Sequence, residues 1–177
     1  MRKLVVGCLV SVDGVHGEPR SWVSEYFDDE AAAKSLAALE RADAMLMGRN
    51  TYEYFAPAWP RASGPYAERV NSIRKYVFSS KLASVEWRNS TLVAGDPVAA
   101  VRELKAGGDG DLVIYGYGRL ARTLLEHGLV DELRVDVNPV MVGAGTPLFQ
   151  PGARRPLALA SVERRGPGVV TLVYVPA

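Results

Sequence analysis

One cysteine and two histidines are all the soft metal ligands the 177 residues contain. Cys8, His16 and His127 lie far apart, which leaves no zinc-ligand spacing, and a lone cysteine cannot close an intramolecular disulfide. Cys8 stands in an apolar run, where a thiol is expected to be buried and inert. Charge of one sign is also missing. Lys and Arg number 21 against 20 acids, for a net charge of +1, so no broad field draws the chain to nucleic acid or an anionic membrane. Any anion site must be local. No uninterrupted apolar stretch is long enough to span a bilayer, and no signal-like segment precedes a small-residue cleavage site. The expected location is the cytoplasm. Repeats, low-complexity tracts and linkers are absent too. With 48% hydrophobic residues, the whole span 1–177 is expected to form one domain with an adequate core.

What is present centres on Leu112 to Leu133. Leu112 to Tyr115 is a short β-branched and aromatic run that reads as a buried strand. It stops at Gly116-Tyr117-Gly118, and a helical pattern carrying Leu120, Leu124 and Leu125 follows at once. Gly128 stands where a helix ends on a left-handed residue, with His127 at the negative end of the dipole and Leu129 placed to pack back. A strand, a glycine turn and a helix N-terminus together suit a phosphate, because the first-turn N–H groups are free and the backbone is approachable. The same turn would also arise if glycine were needed for packing alone. Gly116-x-Gly118-x-x-Ala121 nearly matches a dinucleotide fingerprint, with Asp136 about twenty residues on. Asp136 falls inside the next apolar strand, however, and too little chain follows for a six-stranded dinucleotide domain.

Taken in order, Lys3 to Val10 reads as a central strand covered on both faces. Ser11-Val12-Asp13-Gly14 and a loop through His16 to Trp22 follow, a length that often carries function. Trp22 is either a plug under that loop or a substrate contact, and His16 reads as a solvated loop residue. Asp28, Asp29 and Glu30 open a helix that runs to about Arg41; they cap it, or one of them faces a substrate as anchor or proton donor. Ala44 to Met47 is the second strand. It passes through Gly48 into a helix start with Arg49 and Thr51, both able to bind phosphate oxygens, although Arg49 could equally pair with a nearby acid. Tyr66 to Ile73 is a short helix. Lys75 to Ser79 is a strand ending in Ser79-Ser80-Lys81, which would hold an anion or begin a turn. Thr91 to Ala94 is the fourth strand, and Asp96-Pro97 starts a helix that runs to Lys105. Leu133 to Val137 is a strand interrupted by Asn138-Pro139. Leu157 to Val162 and Val169 to Val175 read as a terminal antiparallel hairpin. Alternating βα units closed by a β-rich tail favour a mostly parallel sheet with helices on both faces.

Four of these features together resemble one family: Ser11 to Gly14, Met47 to Glu53, Lys75 to Ser80, and Leu112 to Glu132 followed by Pro139 to Phe149. The chain looks like a member of the dihydrofolate reductase-like superfamily. It is most similar to single-domain proteins related to the C-terminal reductase domain of the bifunctional riboflavin-biosynthesis deaminase/reductase. The resemblance implies a three-layer α/β/α fold with a mostly parallel sheet and an antiparallel C-terminal hairpin. It also implies NADPH along the strand C-termini. Gly48, Arg49 and Thr51 would hold cofactor phosphates, and Ser79 and Ser80 the adenosine 2′-phosphate. Gly116, Tyr117, Gly118, Arg119 and Leu120 would wrap the pyrophosphate, with Val10 and Ser11 near the nicotinamide. Trp22 and Asp28 would meet the substrate. The proton donor would be Asp13, Asp28, Asp136 or a bound water, and the sequence does not choose among them. The partners implied are a small heterocyclic substrate, pterin- or ribosylaminopyrimidine-like, and a second copy of the chain. The sequence departs from the family in lacking the fused zinc deaminase, in having no clearly aligned acid on the first helix, and in the large Tyr117. A nucleotide-binding protein of the same fold without efficient turnover is the alternative reading.

Overall fold

The computed structural model describes residues 2–152 and 154–177. Its strands are β1 (Leu4–Ser11), β2 (Ala42–Gly48), β3 (Arg74–Phe78), β4 (Ser90–Val93), β5 (Asp111–Tyr115), β6 (Glu132–Asn138), β7 (Leu157–Arg165) and β8 (Val169–Pro176). Its helices are α1 (Asp29–Glu40), α2 (Arg49–Phe55), α3 (Pro65–Ser72), α4 (Pro97–Ala106) and α5 (Arg119–Glu126). The strands form one sheet in the order β4-β3-β2-β5-β1-β6-β8-β7. From β4 to β6 every pair is parallel, and β8 runs antiparallel to both β6 and β7. This is the three-layer dihydrofolate reductase-like architecture that the resemblance implied. The hairpin is longer than its apolar pattern suggests. Glu163 to Arg165 continue β7 past the last apolar residue, because pairing with Val169 to Thr171 satisfies their backbone whatever their side chains.

Two cores sandwich the sheet. Leu4, Val6, Leu46, Leu112 and Leu124 pack on the α4/α5 side; Leu39, Met45, Met47, Val70 and Val77 pack on the α1/α3 side. Each fully buried side chain of this size contributes about 1.5–3 kcal/mol. The inner strands are therefore apolar on both faces, as in β2, where Ala44 to Met47 are all buried. Helix ends are finished locally. Asp28 accepts from the Ala31 N–H at 2.9 Å to begin α1, and Asp96 accepts from Val98 and Ala99 to begin α4. At the end of α5, Gly128 takes φ 67°, the Leu129 N–H reaches the Leu124 carbonyl at 2.9 Å, and the Gly128 N–H reaches that of Leu125 at 3.1 Å.

The strand order creates one special place. After β2 the chain moves outward to β3, and after β5 it moves the other way to β6. The helices that follow take opposite faces: Tyr52 of α2 joins the α1/α3 core, and Ala121 and Leu124 of α5 join the other. Between β2 and β5 a crevice must open at the strand C-termini, and ligands of open α/β sheets bind at such switch points.

Candidate active site at the strand C-termini

Two expected turns line that crevice, and they touch. A Cβ on Gly48 would lie 3.9 Å from the Leu120 Cβ. Both helices starting there lack a side-chain cap, since Gly48 and Gly118 are their N-cap residues. The contrast with α1 and α4, each capped by an aspartate, is physical. At those two starts a carboxylate takes up free N–H groups; α2 and α5, like α3 after Gly64, have no such cap, and at the crevice the groups stay available. Gly118 sits at φ −82°, ψ −168°, a conformation open to any residue, and a Cβ there would meet nothing within 4 Å. Neither strain nor packing demands glycine at this position, so packing alone does not account for the turn. Gly116 differs, because its φ of 94° requires glycine.

The remaining expected contacts divide into open and closed. Arg49 is exposed at the crevice and pairs with Glu53 at 3.0 Å, an i,i+4 bridge that a stronger anion could compete for. Thr51 is half-buried, and Ser80 and Arg119 are exposed. The Ser79 hydroxyl accepts the Lys81 and Leu82 N–H groups at 3.0 and 3.1 Å and so forms the turn. Val10 is buried, and its carbonyl accepts from Asn138 at 3.2 Å. Ser11 is buried as well, donating to Asp13 at 2.6 Å and accepting the Val15 N–H at 2.9 Å. Tyr117 packs on the α5-side core with Phe149 edge-on at 6.1 Å.

Each of the three carboxylates already has partners. Asp13 accepts the Ser11 hydroxyl and the N–H groups of Gly143 and Val142, which together hold its carboxyl down at about 2. It is ionised at neutral pH and ties the β1 loop to the segment after β6. Asp28 caps α1. Asp136 accepts from the Thr171 hydroxyl at 2.6 Å and pairs with Arg165, both on the C-terminal hairpin. It lies within β6 rather than at its end, and the strand order is not that of a dinucleotide domain; the fingerprint reading of Gly116-x-Gly118 with Asp136 as ribose acid is corrected on both counts.

The loop after β1 is pinned, not free. Val15 bridges to Pro147, the Leu148 N–H reaches the Gly14 carbonyl at 2.7 Å, and Trp22 is buried beneath with its indole N–H on the Gly17 carbonyl at 3.2 Å. His16 departs from expectation. It is half-buried, and burial with the nearby Arg122 charge pushes its imidazole down, so it is neutral around pH 7. Nothing local in the sequence distinguishes it from a solvated loop histidine. A second opening was also missed. Gly7 and Leu9 are only partly covered although β1 is an inner strand, while Val6, Cys8 and Val10 on the other face are buried. A lone glycine inside an apolar strand was the available signal.

Concavities also lie elsewhere, and one, of about 800 Å³, sits at the opposite end of the strands beside Arg2, Asp43, Arg69 and Arg74. Arg2 donates there to the carbonyls of Leu104 and Gly107 that end α4, and Arg69 to those of Leu39 and Ala42 after α1. Those arginines neutralise helix C-termini. Volume alone therefore does not locate the site.

Known proteins share this plan. The Bacillus subtilis protein YyaP is 32% identical over 77% of this chain and 75% of its own. A putative riboflavin biosynthesis protein from Shewanella sp. PV-4 superposes with a TM-score of 0.78 at 22% identity, covering 99% of both chains. The deaminase/reductase of Thermotoga maritima matches with a TM-score of 0.68 at 13% identity over 99% of this chain and 57% of that one. At such identities the two structural likenesses establish the fold. The model of the RibD C-terminal domain matches residues 2–171, and the chain belongs to that family.

Proposed function

We propose that the chain is an NADPH-dependent reductase that transfers a hydride to a small heterocyclic substrate, pterin- or ribosylaminopyrimidine-like. The observation that carries this reading is the pair of adjoining helix starts, α2 and α5, whose glycine caps leave their N–H groups open at the switch point. The cradle fits a pyrophosphate, which needs closely approached backbone donors rather than side chains. Arg49 and Arg119 supply compensating charge, and Thr51 a hydroxyl. Ser80 and Lys81, exposed after β3, stand where a further phosphate would be read. Bound there, NADPH supplies the hydride, and the chain orients it and limits water under the pinned Gly14 to Trp22 loop.

The engaged carboxylates favour one other reading, a nucleotide-binding protein of this fold without efficient turnover. Titration with NADPH and with NADH, followed by tryptophan quenching, tests the common part. Tight NADPH and weaker NADH is the expected result, and binding of neither removes the reductase reading. We also propose a homodimer: β7 is an edge strand on which Leu159 and Val162 are 55% and 56% exposed, and light scattering should give twice 19.2 kDa.

A further inference from the structure

Reduction of a heterocycle needs a proton as well as a hydride, and the three carboxylates around the crevice are engaged. Two phenols are placed differently. Tyr115 ends β5, one residue before Gly116. Its ring lies across β1, where a Cβ on Gly7 would meet Cδ1 at 3.7 Å and Cε1 at 3.9 Å. Those are ordinary contact distances, so the ring does not require glycine there, and the missing side chain leaves the sheet face partly open beside it. Tyr66 comes from α3 into the same α1/α3-side cluster, with its hydroxyl near that of Tyr115. The Tyr66 ring is held between Trp59, edge-on at 5.4 Å, and Phe27 at 6.2 Å.

We propose that this pair delivers the proton of the reduction, Tyr66 handing it to a substrate seated over Gly7 and Leu9, and Tyr115 positioning Tyr66 from behind. The assignment rests on the reductase reading above. The substrate carbon of a C=N or C=O bond gains the hydride that the reduced nicotinamide supplies, and the π pair moves to the heteroatom. That atom takes the proton as the O–H bond of Tyr66 breaks, and water later returns a proton to the phenolate. Burial raises Tyr66, so the phenol is loaded at neutral pH, and the neighbouring Tyr115 hydroxyl acts the other way, favouring the phenolate as it forms. Arg134 and Asp136 are the charges felt by Tyr115, with opposite signs of effect.

The test uses NADPH with 5-amino-6-(5-phosphoribosylamino)uracil and dihydrobiopterin as probes, and NMR of tyrosine labelled at Cζ. Tyr66→Phe should lower kcat by at least about 100-fold while leaving NADPH affinity unchanged. Tyr115→Phe should lower it less and move the titration of Tyr66 to higher pH, a response that a merely structural tyrosine would not produce. Wild-type turnover in Tyr66→Phe overturns the assignment, as does a Tyr66 titration that ignores Tyr115→Phe. Wild-type protein that binds NADPH but oxidises it with neither probe also overturns it, with the crevice reading intact. Failure to bind NADPH removes the reductase reading instead.

Discussion

Gly118→Ser separates fold from function, because the structure gives the two effects opposite signs. At φ −82°, ψ −168° and with nothing within 4 Å of a built Cβ, serine enters without strain. Serine outranks glycine as an N-cap by a few tenths of a kcal/mol, and removing a glycine from the unfolded chain adds about 0.4–1 kcal/mol. The variant should therefore be more stable by roughly 1 kcal/mol, a rise in Tm of about 2–4 °C for a chain of this length. The same hydroxyl occupies an N–H of Leu120 or Ala121 and fills the open cradle. Loss of one hydrogen bond to a charged group costs about 1.5–3 kcal/mol, so NADPH should bind about 10- to 100-fold more weakly. Gly116→Ser is the control: its φ of 94° makes any side chain cost about 1–2 kcal/mol, and its Tm should fall. The assays are thermal unfolding and fluorescence titration on the same samples. A raised Tm with unchanged NADPH affinity would falsify the claim that the α5 N-terminus holds the cofactor.

Arg49→Ala should weaken NADPH more than NADH if Arg49 helps read the extra phosphate. Its exposed bridge to Glu53 predicts a stability change within about 0.5 kcal/mol, and equal weakening of both cofactors would remove that role. Leu124→Ala, at a fully buried position in the α5-side core, should cost about 2–5 kcal/mol in urea unfolding, and a smaller loss would mean the site collapses. Lys75 is fully buried, with its ammonium on the carbonyls of Asn71, Ile73 and Arg88 at 3.0, 2.9 and 3.3 Å and no carboxylate partner. Burial first, then Arg88 and Arg69, lowers it to about 8. The unfolded chain then binds the proton more tightly, so this group's contribution to stability should rise with pH between about 8 and 10.5, by up to roughly 3 kcal/mol. Unfolding free energies of wild type and Lys75→Met across that window measure the rise, and parallel curves would refute it.

How much of this was legible depends on how local each signal is. Helix starts at Asp28 and Asp96 and the helix end at Gly128 were readable because a cap acts within three or four residues of itself. The parallel strands were readable because burial on both faces leaves a continuous apolar run. What sequence order could not show was which strands become neighbours. The mid-strand position of Asp136 already counted against a ribose acid, but its partners Thr171 and Arg165, 35 and 29 residues away on β8 and β7, were not visible. Ser79 could hold a phosphate or begin a turn; its oxygen accepts two backbone N–H groups to form the turn and its proton stays available to donate. Gly118 went the other way. In sequence its glycine was explained as well by packing as by a ligand, and only the empty space above it in the fold removes the first explanation. The same reasoning reaches Gly7, whose missing side chain is occupied by no packing partner except the ring of Tyr115 and the neighbouring strand. Where a glycine is demanded by neither φ nor close packing, the remaining physical reason for it is access. Gly118 and Gly7 both answer to that reason, and on the proposed reductase reading one would open to the phosphates of the cofactor and the other to the ring it reduces.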